Sequence, residues 1–150
     1  MHRVSHSADI AVPVEVCFAY VDDMRKAPEW MFGVTKCEPI GPQERGLGAV
    51  VAVTIKFGPM TVHSLGTVTE YCENALIALT LTDGPISGVM TWRFEPRDPG
   101  RTRIAAEVAY TLVGGLTGRA LAKVIDALVT QGIEYTEGRL RRQLLEPTAG

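Results

Sequence analysis

The chain lacks several features that assign proteins quickly to a functional class. Its 150 residues carry a net charge of −2, and nucleic acids and anionic membranes both attract basic surfaces, so we expect neither as a partner. A cluster of arginines at 139, 141 and 142 fits the C-terminus of a helix, where cations complement the helix dipole. No run of 18 or more apolar residues occurs, so no membrane-spanning helix and no stable membrane insertion are expected.

Cysteines and catalytic motifs are also scarce. The three cysteines, at 17, 37 and 72, are widely spaced and form no Cys-x-x-Cys pair, which is typical of reduced thiols in a cytoplasmic protein. The N-terminus lacks the apolar run of a signal peptide. There is no His-x-x-x-His pair, no Gly-rich phosphate loop and no Gly-x-Ser-x-Gly elbow. The sequence therefore predicts no metal site and no cofactor.

Short alternating apolar segments punctuated by Gly and Pro fill residues 33–112 and predict six strands. Another strand is predicted at residues 2–10, followed by a helix that Pro13 opens and by a short helical turn at 27–31. We interpret the adjacent acids Asp22 and Asp23 as a solvated helix face, because neighbouring helical side chains diverge. After Gly114-Gly115, helical spacing of apolar residues continues to about Leu145.

This order of elements predicts one α+β domain spanning residues 1–150, with the arrangement β-α-α-β6-α. Short turns between the strands favour an antiparallel sheet, and strands followed by a helix are typical of α+β folds. One helix cannot cover a flat sheet of about seven strands. We therefore expect a curved sheet wrapped around the long C-terminal helix.

Four local motifs occur in an order that is typical of a known family. They are residues 10–18 (IAVPVEVCF), Pro28-Glu29-Trp30, residues 94–96 (FEP) with 100–104 (GRTRI), and a terminal helix containing Leu140, Leu144 and Leu145. Together they resemble the START-like superfamily (SRPBCC), in its bacterial polyketide cyclase/dehydratase and lipid-transport branch. The resemblance covers nearly the whole chain and implies a helix-grip fold. That family has no invariant catalytic signature, so the resemblance implies little about chemistry.

Small residues at inward positions predict an internal cavity between the sheet and the C-terminal helix. Ala8, Gly66, Gly88 and Ala106 lie at inward strand positions, and Gly132 lies on the core face of the helix. In strand 60–71 the alternation is ambiguous, so either Ser64 or His63 faces the cavity. The candidate ligand-binding residues are Trp30, Ser64, Met90, Trp92, Phe94, Tyr110, Leu128, Gly132 and Tyr135.

These residues support two main functional hypotheses. The first is a module that binds a lipid-like or polyaromatic (polyketide) molecule. The second is a cyclase, dehydratase or isomerase that uses the same cavity with one acid or base, for which His6 and Tyr110 are the candidates. A third is an interaction protein with a filled interior. Taken singly, Trp92 and Phe94 are more typical of a core than of a binding site, and His6 is more typical of a structural histidine near the end of a strand than of a catalytic one. The sequence leaves a homodimer open.

Overall fold

A computed structural model describes residues 2–31, 33–57, 60–83, 86–112, 130–131, 134–135 and 137–142. The strands are β1 (His2–Ile10), β2 (Val34–Ile40), β3 (Val50–Phe57), β4 (Met60–Cys72), β5 (Leu76–Thr82), β6 (Ile86–Pro96) and β7 (Thr102–Leu112). Between β1 and β2 lie helix α1 (Val14–Asp22), a 3₁₀ turn (Met24–Lys26) and helix α2 (Ala27–Trp30). The described residues from 130 to 142 are helical and belong to the C-terminal helix.

All seven strands form one antiparallel sheet in the order β1-β7-β6-β5-β4-β3-β2. Strands β2 to β7 form a meander, because each pairs with the next one along the chain. Strand β1 lies at the opposite edge from β2, so the segment that contains α1 and α2 runs from one edge of the sheet to the other. The predicted seven-stranded antiparallel sheet is confirmed.

The core lies on one face of this sheet, under the short helices. On β6, Met90, Trp92 and Phe94 are buried, whereas Arg93 and Glu95, which have the opposite parity, are exposed. Phe18 of α1 packs edge-on against Phe94, with ring centroids 5.3 Å apart. From the C-terminal helix, Leu140 joins the same core.

A β-bulge in β4 resolves the ambiguous alternation of that strand. The pairing with β5 shifts between Val68 and Glu70, so the extra residue reverses which side chains face inward. Before the bulge, Ser64 is buried and His63 is exposed, with the His63 ring nitrogen 3.2 Å from the Thr54 hydroxyl. Ser64 is therefore the inward residue of the pair.

Two glycines expected to leave internal space do not do so. A Cβ atom on Gly88 would lie 2.9 Å from the Cα of Tyr110 and closer still to the Ala109 carbonyl oxygen, so glycine is needed for close approach of two strands. A Cβ atom on Gly66 would lie 3.0 Å from the Leu79 side chain. The space beside both glycines is filled, and the inference of a cavity from these two positions was wrong.

Candidate functional site

An apolar cleft lies between the short helices and the inner face of the sheet. Its lining comes from α1, the 3₁₀ turn, α2 and strands β2, β3, β5 and β6, and consists of Val21, Met24, Ala27, Trp30, Met31, Val34, Cys37, Val53, Leu79, Met90 and Trp92. The free volume of the cleft is about 10 Å³. That is room for about one water molecule.

Aromatic rings and sulfur atoms give the cleft its character. The rings of Trp30 and Trp92 meet edge to face, with centroids 5.9 Å apart. Met24, Met31 and Met90 contribute unbranched side chains that adapt to differently shaped neighbours. Burial raises the pKa of the Cys37 thiol to about 11, so the thiol is neutral near pH 7. The lining offers adaptable, uncharged surface.

Two buried polar atoms on this side of the sheet have no hydrogen-bond partner within the described residues. They are the indole Nε1 of Trp30 and the hydroxyl Oγ of Ser64. Trp30 lines the cleft, and Ser64 pairs across the sheet with Val53, which also lines it. Buried polar groups in native proteins are nearly always bonded, so each exception calls for an explanation.

A histidine and a glutamate meet where β1 faces the C-terminal helix. The Nε2 of His6 lies 3.4 Å from Oε2 of Glu137, and Glu137 also bonds Arg141 one helical turn later. Both members of the pair are partly exposed. His6 pairs with Ala106 of β7, and Ala106 pairs on its other side with Trp92 of β6, which lines the cleft. The structure thus gives this candidate acid or base a carboxylate partner.

Four of the remaining predicted site residues fall into two groups, and the fifth, Tyr135, is described below. Phe94 and Tyr110 are buried; Phe94 packs against Phe18, outside the cleft lining, and Tyr110 lies on β7 opposite Gly88. Leu128 and Gly132 lie outside the described residues.

Tyr135 does not take the inward position expected of it. Its side chain is 47% exposed, and its hydroxyl accepts a hydrogen bond from Nη1 of Arg139 at 2.8 Å. Tyr135 lies five positions before buried Leu140, so their side chains point in directions about 140° apart around the helix axis. The two side chains therefore cannot share a face of the helix.

Residues 1–144 match the family model described as "Polyketide cyclase / dehydrase and lipid transport". The chain belongs to this family. The resemblance found in its sequence motifs is thereby confirmed. No curated protein matches the chain.

Solved structures share the fold over nearly the full chain. TTHA0849 from Thermus thermophilus is 18% identical with a TM-score of 0.83, over 99% of this chain and 100% of that one. A START superfamily protein from Mycobacterium smegmatis is 17% identical with a TM-score of 0.76, over 95% and 99%. The ZhuI aromatase/cyclase from Streptomyces sp. R1128 is 17% identical with a TM-score of 0.76, over 99% and 98%. These similarities establish the helix-grip fold.

In this member of the polyketide cyclase and lipid transport family, the short helices supply cleft residues that the sequence did not single out. Neither Met24 nor Met31 was among the predicted site residues. Asp22 was expected in solvent and is buried instead, accepting a hydrogen bond from the Tyr71 hydroxyl at 3.0 Å. Burial raises the pKa of Asp22, although the bond from Tyr71 partly offsets this effect.

The outer face of the same sheet carries a second, larger depression. This outer groove encloses about 470 Å³ and is lined by Ser5, His6, Ser7, Thr91, Arg93, Arg103, Ala105, Ala106 and Glu107. It lies over β1, β7 and β6, whose outward side chains there are short or charged. One guanidinium, that of Arg103, donates to the Ser7 hydroxyl at 3.1 Å.

Two other kinds of site are absent from the described residues of this family member. No group of three or more His, Cys, Asp or Glu side chains is placed to hold a metal ion. No described helix is both long and apolar enough to cross a membrane.

Proposed function

We propose that the protein binds an uncharged, largely apolar small molecule, lipid-like or polyaromatic, on the inner side of the curved sheet beneath the C-terminal helix. The observation that carries this proposal is the cleft itself, whose lining is apolar and contains two tryptophans and three methionines. Ligand pockets in proteins are typically apolar with a few placed polar groups. Membership of a family described by polyketide cyclisation and lipid transport supports the same conclusion.

The small volume of the cleft requires that its walls move when a ligand enters. Three methionines make such movement inexpensive, because each has several rotatable bonds and tolerates different neighbours. Trp30 and Met31 lie at the end of a helix of only four residues, which has little internal structure to lose. We therefore expect binding to displace the α2 segment rather than the sheet.

The proposal is tested with N-phenyl-1-naphthylamine, an uncharged probe that fluoresces in apolar surroundings. The variant Ala27→Leu adds bulk inside the cleft, and Ala105→Leu adds the same bulk in the outer groove. We expect Ala27→Leu to weaken binding about 10-fold or more, since overpacking of an interior is costly. Ala105→Leu should change the affinity less than about twofold.

Equal effects of the two variants, or no binding of the probe by the folded wild type, would contradict the cleft as the binding site. Circular dichroism of each variant establishes that it is folded before its affinity is compared. Native mass spectrometry of gently purified protein then identifies any molecule that remains bound. An adduct lost in Ala27→Leu and kept in Ala105→Leu would support the proposal independently.

A second candidate function, cyclase or dehydratase activity, is favoured by the pairing of His6 with Glu137 between β1 and the C-terminal helix, outside the lining of the cleft. A carboxylate beside a histidine fixes the orientation of the ring, which suits a general base. The test is dehydration of 4-hydroxy-4-phenylbutan-2-one to its conjugated enone, followed by ultraviolet absorption. His6→Gln should lower turnover about 100-fold or more and leave ligand affinity nearly unchanged. Equal turnover in wild type and His6→Gln would remove His6 as the base.

A further inference from the structure

We infer that the indole N–H of Trp30 is the group that selects among ligands, favouring apolar molecules that carry a neutral acceptor oxygen. This inference rests on the proposed function, because it concerns the same cleft. Ser64 supplies a second polar group, on the strand that pairs with β3 of the cleft wall, where Ser64 lies opposite Val53. The ligand class follows from the chemistry of these two side chains and of the surface around them.

The unpaired state of Trp30 is unusual within this molecule. The Trp30 side chain is 2% exposed, and its Nε1 bonds to nothing within the described residues. Among the described residues, Ser64 is the one other residue with a buried side-chain polar atom that lacks a hydrogen-bond partner. Other buried polar side chains are bonded. The hydroxyl of Thr102 donates to the Val12 carbonyl at 2.7 Å, and Asp22 accepts from Tyr71. A buried donor without a partner is costly, and the cost is removed when an acceptor arrives.

The surroundings of Trp30 decide what kind of acceptor fits. The other residues that line the cleft are aliphatic, aromatic or sulfur-containing, and none carries a charge. Burial keeps the Cys37 thiol neutral by raising its pKa to about 11. A carboxylate or phosphate would lose its hydration here without meeting a cation, which is far more costly than burying a neutral oxygen. The cleft therefore favours a ketone, ester or phenol oxygen over the head group of an ionised fatty acid or a phospholipid.

The test compares two probes of nearly the same shape, 2-acetylnaphthalene and 2-isopropenylnaphthalene, which differ in a carbonyl oxygen against a methylene group. Affinities are measured by calorimetry for wild type and for Trp30→Phe, which keeps an aromatic ring and removes the donor. We expect the affinity ratio, ketone over alkene, to fall about 5-fold in Trp30→Phe, the typical weight of one neutral hydrogen bond. The smaller ring changes the shape of the cleft for both probes, so the ratio isolates the effect of the missing hydrogen-bond donor.

The matched control is Trp92→Phe, the same substitution on the facing ring. The Trp92 nitrogen is not among the buried atoms that lack a partner, so this variant should leave the ratio unchanged. Ser64→Ala should lower the ratio by less than Trp30→Phe does. A third probe, ionised 2-naphthoate, should bind about 10-fold or more weakly than the ketone, because the lining offers it no cation.

A second measurement keeps the inference testable if Trp30→Phe does not fold. The indole N–H of Trp30 is observed directly in the ¹⁵N spectrum of the wild type, with Trp92→Phe providing the assignment. The ketone should move this signal downfield, and the alkene should not. An unmoved signal, an unchanged ratio in folded Trp30→Phe, or equal affinity for naphthoate would overturn the inference while leaving the proposed function intact. If neither neutral probe binds, the proposed function fails and the inference with it.

Discussion

The inner cleft and the outer groove lie on opposite faces of one sheet and share strand β6, and they differ both in size and in how their polar groups are bonded. On β6, Trp92 faces the cleft and Arg93 faces the groove. The groove is far larger, about 470 Å³ against about 10 Å³. In the groove, however, polar side chains bond one another, as Arg103 bonds Ser7. In the cleft, a buried donor lacks a partner within the described residues. Its larger volume favours the groove as a binding site, whereas the unpaired buried donor favours the cleft.

The comparison shows why space alone is a poor guide to a binding site. The rim of the outer groove includes the pair Arg3 and Glu107, 3.0 Å apart and largely exposed, and such ion pairs contribute little to stability or specificity. A ligand there competes with water for every contact. A ligand in the cleft meets surface that is already removed from water, so each matched contact counts for more.

The largest expected effect contrasts Trp92→Ala with Arg93→Ala, neighbours on one strand that face opposite sides. Trp92→Ala removes a buried ring from the cleft wall and should lower the free energy of unfolding by about 3–5 kcal/mol. Arg93→Ala changes an exposed side chain and should alter it by less than about 0.5 kcal/mol. Urea unfolding followed by circular dichroism measures both. Similar losses in the two variants would show that the outer groove is structurally as important as the cleft.

A smaller difference in stability is expected between alanine variants of Gly88 and Gly66, which occupy similar inward positions in the sequence pattern. Gly88→Ala forces a methyl group onto the backbone of β7, which cannot yield without breaking pairing, so we expect a loss of about 1–3 kcal/mol. In Gly66→Ala the nearest atoms belong to the side chain of Leu79, which can shift, so the variant should cost less. The control is Gly138→Ala in the C-terminal helix, where a Cβ meets no atom of the described residues within 4 Å. This change should stabilise the protein by about 0.5–1 kcal/mol. A larger loss for Gly66→Ala than for Gly88→Ala would contradict the geometry.

Much of the fold could be predicted from the sequence because most of its strands alternate without interruption. Met90, Trp92 and Phe94 keep one parity and are all buried, so their inward placement was correctly predicted. In β4 the bulge defeats this reasoning. Tyr71 has the opposite parity to Val62, and yet it pairs with fully buried Ile77 on the inner face. Nothing in the local sequence indicates where the extra residue is accommodated.

The candidate site was harder to predict than the fold, because its walls come from segments distant in sequence. Trp30, Met90 and Trp92 line the cleft, as expected of large apolar residues at inward positions, and their part in ligand binding stays a prediction. The partner of His6 was not found, because Glu137 lies 131 residues away on another element. Small residues were interpreted as space, whereas Gly66 and Gly88 are places where neighbours come close. Sequence patterns indicate which way a side chain faces but not what fills the space in front of it.

The smallest expected effect concerns Asp22, a carboxylate buried on the inner side of the molecule. Burial is the main reason why its pKa is raised, while the bond from Tyr71 and the charge of Arg45 act in the opposite direction. An acid whose pKa is raised by folding holds its proton more tightly in the folded state than in the unfolded state. It therefore reduces stability when ionised, and this penalty disappears as the pH falls through its folded pKa towards the ordinary carboxyl value of about 4.

Asp22→Asn removes this charge and keeps an oxygen that accepts the Tyr71 hydroxyl. We expect the variant to be at least as stable as wild type at neutral pH, with an advantage that shrinks as the pH is lowered towards the ordinary carboxyl range. Urea unfolding of both proteins across this range measures the difference, in which the contributions of the other carboxylates cancel. Asp23→Asn, at the adjacent and partly exposed carboxylate, is the control for removing one negative charge from the same turn. An Asp22→Asn advantage that grows on acidification would mean that the hydrogen bond from Tyr71 outweighs burial. Asp22 would then stabilise the inner face as a charge, which is the opposite of what the uncharged cleft beside it requires.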